Sequence, residues 1–166
     1  MIQVDYPIRT EGNTIVEDVQ NGQVIVVRIK NGEEWVDIFY VEVKSKWDFS
    51  EPAHMSTRQV RMGALHPNEY ALCCVDLRKQ KHEDVENLPT EIILECTNVK
   101  MGIGEILNPM LKAILEADNR SDDEQIKISE YRSNMGASIF EKGDSLDVLL
   151  NTIETKIRQK LSSMSS

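Results

Sequence analysis

The chain has 166 residues, of which 40% are hydrophobic and 28% charged, and its formal net charge is −9. That size is one domain with room for a buried core. The acidic balance speaks against a free-standing DNA binder, because such proteins displace phosphate counterions with basic surface.

Cys73, Cys74 and Cys96 are an odd, small set that argues against a secreted disulfide scaffold. No Cys or His recurs at zinc-ligand spacing; His54, His66 and His82 are scattered. The opening Met1-Ile2-Gln3-Val4-Asp5-Tyr6 lacks the basic and apolar regions of a signal peptide, and no apolar run approaches the roughly eighteen residues of a membrane span. These features predict a cytoplasmic protein without a membrane partner.

In chain order, residues 1–13 are mixed and polar and read as a lead-in that packs late or pairs at an edge. Residues 14–19 read as a short strand stopped by Asn21-Gly22, and residues 23–30 as a second strand. Asn31-Gly32 between two β runs is a strong hairpin signal. The other arm, residues 35–47, is the longest apolar, β-branched and aromatic run in the chain. Strand alternation puts Phe39, Val41 and Val43 on one face, and Ile38, Tyr40, Glu42, Lys44 and Lys46 on the other. A strand that turns polar on one face at its end suits the middle of a sheet with a site at its edge.

A helical pattern over 54–65, capped by Ser56 or Thr57, leads into a buried strand over 70–77. Cys73 and Cys74 there point to opposite faces as buried thiols. Strand, helix, strand is a crossover unit that makes its two strands parallel neighbours with a right-handed connection. Residues 78–89 interleave both charge signs and read as solvated surface.

Residues 90–96 read as a strand. Gly102 and Gly104 precede a helical stripe of Ile106, Leu107, Met110, Leu111, Ile114 and Leu115, with Pro109 tolerated only near the first turn. Residues 119–123 are a polar break, 125–131 a weak strand, 133–136 a turn and 137–140 another short β segment. Asp144 or Ser145 caps a last helix striped by Leu146, Leu149, Leu150, Ile153, Ile157 and Leu161, and 162–166 should fray. The predicted fold is α/β over one domain, 1–166: a mixed central sheet begun by an antiparallel hairpin meander, a strand-helix-strand crossover and flanking helices.

Glu42-Val43-Lys44 is the constellation with chemistry in it. A carboxylate and an ammonium two apart share one face of a strand; with a second acid from a neighbouring strand they can hold a divalent metal and serve an attacking water. The bland reading is a solvated strand face with a weak ion pair. About two acid-x-Lys triplets are expected by chance in such a chain, and the other one, Glu154-Thr155-Lys156, lies on the last helix. Gly102-Ile103-Gly104 has too few glycines for a phosphate cradle and reads as the start of a helix. No Gly-x-Ser-x-Gly elbow is present.

Three stretches together resemble a known pattern: Tyr40-Val41-Glu42-Val43-Lys44-Ser45, Met55-Ser56-Thr57-Arg58-Gln59, and the strand opened by Tyr70 and ending Val75-Asp76. They look like the domain found at the C-terminus of the plant protein NO VEIN and in many bacterial proteins, regarded as part of the PD-(D/E)xK, or restriction-endonuclease-like, nuclease superfamily. The likeness covers about residues 35–78. It implies a restriction-endonuclease-like fold and a metal-dependent nuclease using Mg2+ or Mn2+, acting on DNA in a defence or restriction-type system. Glu42 would bind the metal, Lys44 would serve the water, and Gln59 would reach the site from the helix.

The superfamily's other metal-binding acid normally lies on the preceding strand, which here carries none over residues 23–30. The candidates are Asp37, Glu33, Glu34 and Asp18. Asp37 is nearest, but alternation puts it on the face opposite Glu42 unless a bulge intervenes. The N-terminal helix with its own Glu, common in the superfamily, is also missing. Bacterial relatives often carry the domain at the end of a longer chain with an ATPase or helicase part. That implies a second expectation: a nuclease-like fold that no longer cuts and serves as an interaction or regulatory module beside such a partner. The amphipathic last helix is suited to a homodimer.

Overall fold

A computed structural model of the chain describes residues 6–11, 14–18, 25–46, 48, 52–80, 88–121 and 132–164. The first four strands are β1 (Tyr6–Glu11), β2 (Thr14–Asp18), β3 (Ile25–Asn31) and β4 (Glu34–Lys46), each antiparallel to the one before. The expected meander is therefore present, with β1 added at its edge. Asn31 pairs with Glu34, so Asn31 closes the strand and the turn is Gly32-Glu33. Gly32 has φ 63°, and among the described residues no non-glycine has positive φ. A glycine leading a two-residue turn fits the II′ geometry rather than the I′ turn that Asn-Gly favours.

The chain then passes through β5 (Ala53–Ser56) and α1 (Thr57–Leu65) into β6 (Tyr70–Asp76), which lies parallel to β4 with Tyr40 beside Tyr70 and Glu42 beside Leu72. The strand-helix-strand crossover thus holds. A short helix α2 (Thr90–Glu95) precedes β7 (Thr97–Met101), which completes a six-stranded sheet of order β1-β2-β3-β4-β6-β7. Helix α3 (Gly104–Ser121), strand β8 (Arg132–Met135), a 3-10 helix (Ala137–Phe140) and helix α4 (Leu146–Met164) follow. β8 pairs with β5 in a separate two-stranded sheet. The architecture is α/β, with a mixed sheet and flanking helices.

Alternation divides the core between two sheet faces. Val26, Tyr40, Tyr70, Leu72 and Cys74 pack against Val60 and Ala64 of α1 and Leu107 and Ile114 of α3. Val27, Phe39, Val41, Ala71, Cys73 and Val99 form the other cluster with Leu149 of α4, flanked by Leu146, Ile153 and Ile157. Cys73 and Cys74 do face opposite ways, as buried free thiols. β7, at the sheet edge, is clipped by Asp144, which exchanges two backbone hydrogen bonds with Val99 at 2.8 and 2.9 Å. Pairing that covers an edge removes a template for aggregation.

Several expected elements are corrected. His54 and Met55 belong to a strand, because the helix starts only where Ser56, in extended geometry (φ −69°, ψ 160°), caps it. Residues 90–95 form a helix with none of its residues buried, since Thr97–Met101 takes the free side of β6. Where a turn was expected over 133–136, Arg132–Met135 forms β8, and 137–140 wind as a 3-10 helix around buried Phe140. α4 continues through Met164 where fraying was expected: Ser162 and Ser163 donate their hydroxyls to the Arg158 and Lys160 carbonyls. Pro109 sits in the second turn of α3.

The stripes are narrower than their periodicity suggested: Ile106, Met110, Leu115, Leu150 and Leu161 are exposed, and so is Val43, which α4 leaves uncovered. The expected strand over 125–131, much of the lead-in and residues 81–87 of the charged stretch 78–89 lie outside the described residues. No helix among the described residues is long and apolar enough to cross a membrane.

Candidate functional site

Glu42 and Lys44 lie on the α1 face of β4, where the strand pairs with β6. Sequence alternation suggested a polar, solvent-facing strand end. The structure instead buries Glu42 to 3% exposure and leaves the Lys44 side chain only 19% exposed. The cause is α1. Its N-terminus lands over this pair because Ser56 stops β5 and caps the helix, accepting from the Gln59 amide. Gln59 completes a capping box by accepting from the Ser56 amide through Oε1 at 2.9 Å.

Held in this way, the Gln59 carboxamide faces both strand residues. Its Nε2 donates to Glu42 Oε1 at 2.7 Å, and its Oε1 accepts from Lys44 Nζ at 3.2 Å. Lys44 Nζ also lies 2.6 Å from Glu42 Oε1. Glu42 and Lys44 of β4 and Gln59 of α1 therefore form one contact cluster.

The electrostatics are uneven. Burial pushes the Glu42 carboxyl above its ordinary range, and the Lys44 ammonium only partly opposes this. Oε1 holds two donors, whereas buried Oε2 has no partner among the described residues. Nor does the buried hydroxyl of Tyr70. Burial raises the Tyr70 phenol pKa, and the nearby Glu42 charge adds to the effect. Tyr70 stood in the sequence pattern without a role; its signal was a polar-headed residue opening an apolar strand.

Asp37 is the remaining candidate. A bulge does intervene: β3 pairs Val27 with Phe39 and then Arg28 with Asp37, skipping Ile38. This returns Asp37 to the face of Tyr40, whose hydroxyl donates to Asp37 Oδ2 at 3.0 Å. Four ladder steps still separate Asp37 from Glu42, about 13 Å along the strand. Its other oxygen accepts from Arg28 Nε at 2.7 Å. The Tyr40 phenol is pushed up to about 12 by burial and by its bond to Asp37.

Glu33 and Glu34 lie exposed at the hairpin end of β4, away from Glu42. Asp18 pairs with Ile25, and Ile25 with Val41, so its backbone stands in the row of Val41 and not of Glu42. Asp76, ending β6, is clasped by the Arg78 guanidinium at 2.6 to 3.1 Å, which holds its carboxyl below the usual range. Among the described residues, no group of three or more His, Cys, Asp or Glu is placed to hold a metal.

The expected Gly102-Ile103-Gly104 helix start is present. Gly102 takes φ 66°, and Gly104 packs against Pro67 and the Gly63 carbonyl, leaving no room on that side for a phosphate. No family model, curated protein or solved structure matches this chain.

Proposed function

We propose that the chain is a nuclease-like domain of the PD-(D/E)xK type that hydrolyses phosphodiester bonds of DNA, in a defence or restriction-type system, with Mg2+ or Mn2+ held by Glu42. The observation that carries this reading is the convergence of Glu42, Lys44 and Gln59 on one cluster, with bonds of 2.7 and 3.2 Å from the helix residue to the two strand residues. The sheet supports the finer restriction-endonuclease-like assignment through its meander, its parallel crossover and its helices on both faces.

A divalent cation would supply charge stabilisation for the pentavalent phosphate. Glu42 would meet it through Oε2, its open acceptor. One carboxylate is a workable protein share for Mg2+, which keeps several waters and takes phosphate oxygens as ligands. Lys44 would hold and help deprotonate the attacking water beside the carboxylate, and Gln59 fixes both heads in register. Asp37, about 13 Å along the strand and bonded to Arg28, would take no part in this centre. With a charge of −9, the grip on DNA would come from a partner, such as an ATPase or helicase part of a longer chain.

One observation favours a second reading, a nuclease-like fold that no longer cuts and serves as a module beside such a partner. Glu42 Oε2 is buried, and its carboxylate is already neutralised by Lys44. Calorimetry with Mg2+ and Mn2+ on the wild type and on Glu42→Ala decides between them. Binding that the substitution abolishes supports the nuclease, to be followed by cleavage of plasmid DNA. No binding to the wild type at millimolar metal supports the module.

A further inference from the structure

A cavity of about 410 Å3 opens between β7, the start of α3 and the segment from β8 into the 3-10 helix. It lies apart from the Glu42 cluster, none of whose members lines it. Its volume falls within the ~300–1,000 Å3 of small-molecule sites. Met55, Leu107 and Met135 are buried in its wall, and Ile106 and Met110 form an exposed lip. Four of the chain's seven methionines, Met55, Met101, Met110 and Met135, line it. Methionine is unbranched and adaptable, so a wall of this kind accommodates a flexible alkyl chain better than a rigid ring.

Lys100 is the one charged side chain among the described residues that line this cavity. Its backbone pairs with Leu72, and its charge reaches the Cys74 thiol on the α1 and α3 face of the sheet. Its ammonium makes no hydrogen bond or ion pair to a described residue, in a chain where acids outnumber Lys and Arg by 28 to 19. An apolar trough with a single cation at one side is complementary to an amphiphile with a single anionic head. We propose that this cavity binds a free straight-chain monocarboxylic acid, with its alkyl chain among the methionines and its carboxylate on Lys100. The proposal does not rest on the nuclease reading.

The test is titration of the full chain, labelled at the methionine methyl carbons, with octanoate, decanoate and dodecanoate below their micelle concentrations. Shifts should saturate and centre on the four lining methionines. Affinity should rise about fourfold per added methylene, as each buried CH2 contributes about 0.8 kcal/mol. Lys100→Gln should weaken decanoate about tenfold, on the scale of one charge-assisted hydrogen bond, and leave 1-decanol unchanged. Ile106→Glu is at a 60% exposed position, so it should fold normally; its carboxylate at the lip should weaken the acids and spare the alcohol. No saturable shift at millimolar decanoate, or shifts centred on other methionines, overturns the site. Equal loss of acid and alcohol in Lys100→Gln overturns the role of the lysine.

Discussion

Gln59 Nε2 donates to Glu42 Oε1 at 2.7 Å while Gln59 Oε1 accepts from the Ser56 amide that opens its own helix. One carboxamide thereby ties the start of α1 to the end of β4. The helix cap and the candidate site are the same object, so the geometry of the cluster is as rigid as the helix terminus. A residue in both roles has no free rotamer, because either amide flip breaks both bonds.

Gln59→Leu should therefore cost more than an ordinary cap deletion. It removes a cap worth about 1 kcal/mol and a bond to a charged group worth about 2 kcal/mol, giving a loss of about 3 kcal/mol. Gln59→Glu keeps the capping box but sets a second carboxylate against Glu42, so its cost should be large at neutral pH and shrink in acid. Urea denaturation of the two variants at both pH values checks this; a pH-independent cost in Gln59→Glu would place the two side chains apart.

Lys44→Ala should also destabilise the fold. The sequence alone placed the lysine head in solvent, which predicts little change. With the head 2.6 Å from a carboxylate only 4% exposed, its removal leaves Glu42 buried without its counter-charge. Breaking a buried pair costs about 3 kcal/mol or more, and the residual access of Lys44 to water sets the lower end. A melting temperature within a degree of the wild type would show that Glu42 is solvated.

The sheet centre was legible because its cues are local and redundant. The run 35–46 is long and β-branched, Asn31-Gly32 marks its turn, and Cys73 and Cys74 alternate into opposite clusters as parity requires. The site's members were legible only through a sequence pattern. Their burial was not, because it comes from α1 docking over residues that read as a polar strand end. The face of Asp37 depended on the bulge at Ile38, which leaves no compositional mark. Residues 90–101 failed for a related reason. Ile92, Ile93 and Leu94 look like a strand, yet the position beside β6 goes to Thr97–Met101, whose one buried side chain is Val99.

The thiols give a direct check on the two core faces. Burial pushes Cys73 up to about 11 and Cys74 up to about 12, whereas Cys96 is half-exposed. The thiolate is the reacting form. Native protein should release one equivalent of colour quickly with an aromatic disulfide reagent near pH 8, and denatured protein three. Fast reaction of more than one thiol in the native state would contradict the packing of β6.

The helix pair over the site rests on two glycines. A Cβ at Gly104 would meet Pro67 Cα and, at 2.6 Å, the Gly63 carbonyl oxygen; these are backbone atoms that cannot step aside. A Cβ at Gly63 would meet the Leu107 Cδ1 methyl, which can rotate, and the Tyr70 ring at 3.1 Å. Gly104→Ala should thus cost about 3 kcal/mol and Gly63→Ala about 1 to 2 kcal/mol. Thermal melts of the two variants test the order, and the reverse order would mean that α1 and α3 approach differently.

The pH dependence of stability carries the signature of Glu42. Burial raises its carboxyl above the ordinary value of 4.5, with Lys44 opposing. Over the window between 4.5 and the raised native value, the folded chain keeps a proton that the unfolded chain has lost. Stability from this group is then greatest at the acid end of the window and falls as pH rises through it, becoming constant once Glu42 ionises in the fold. Glu42→Gln has no proton to lose. Its stability relative to the wild type should therefore increase as pH rises above about 4.5 through this window and then level off, as read from urea midpoints. Metal binding should move the opposite way. It needs the ionised carboxylate, so Mn2+ affinity for the wild type should strengthen across the same window in which the wild type loses stability. A stability difference between Glu42→Gln and wild type that is flat across this range would mean that Glu42 titrates as an exposed acid, and the buried cluster would have to be abandoned.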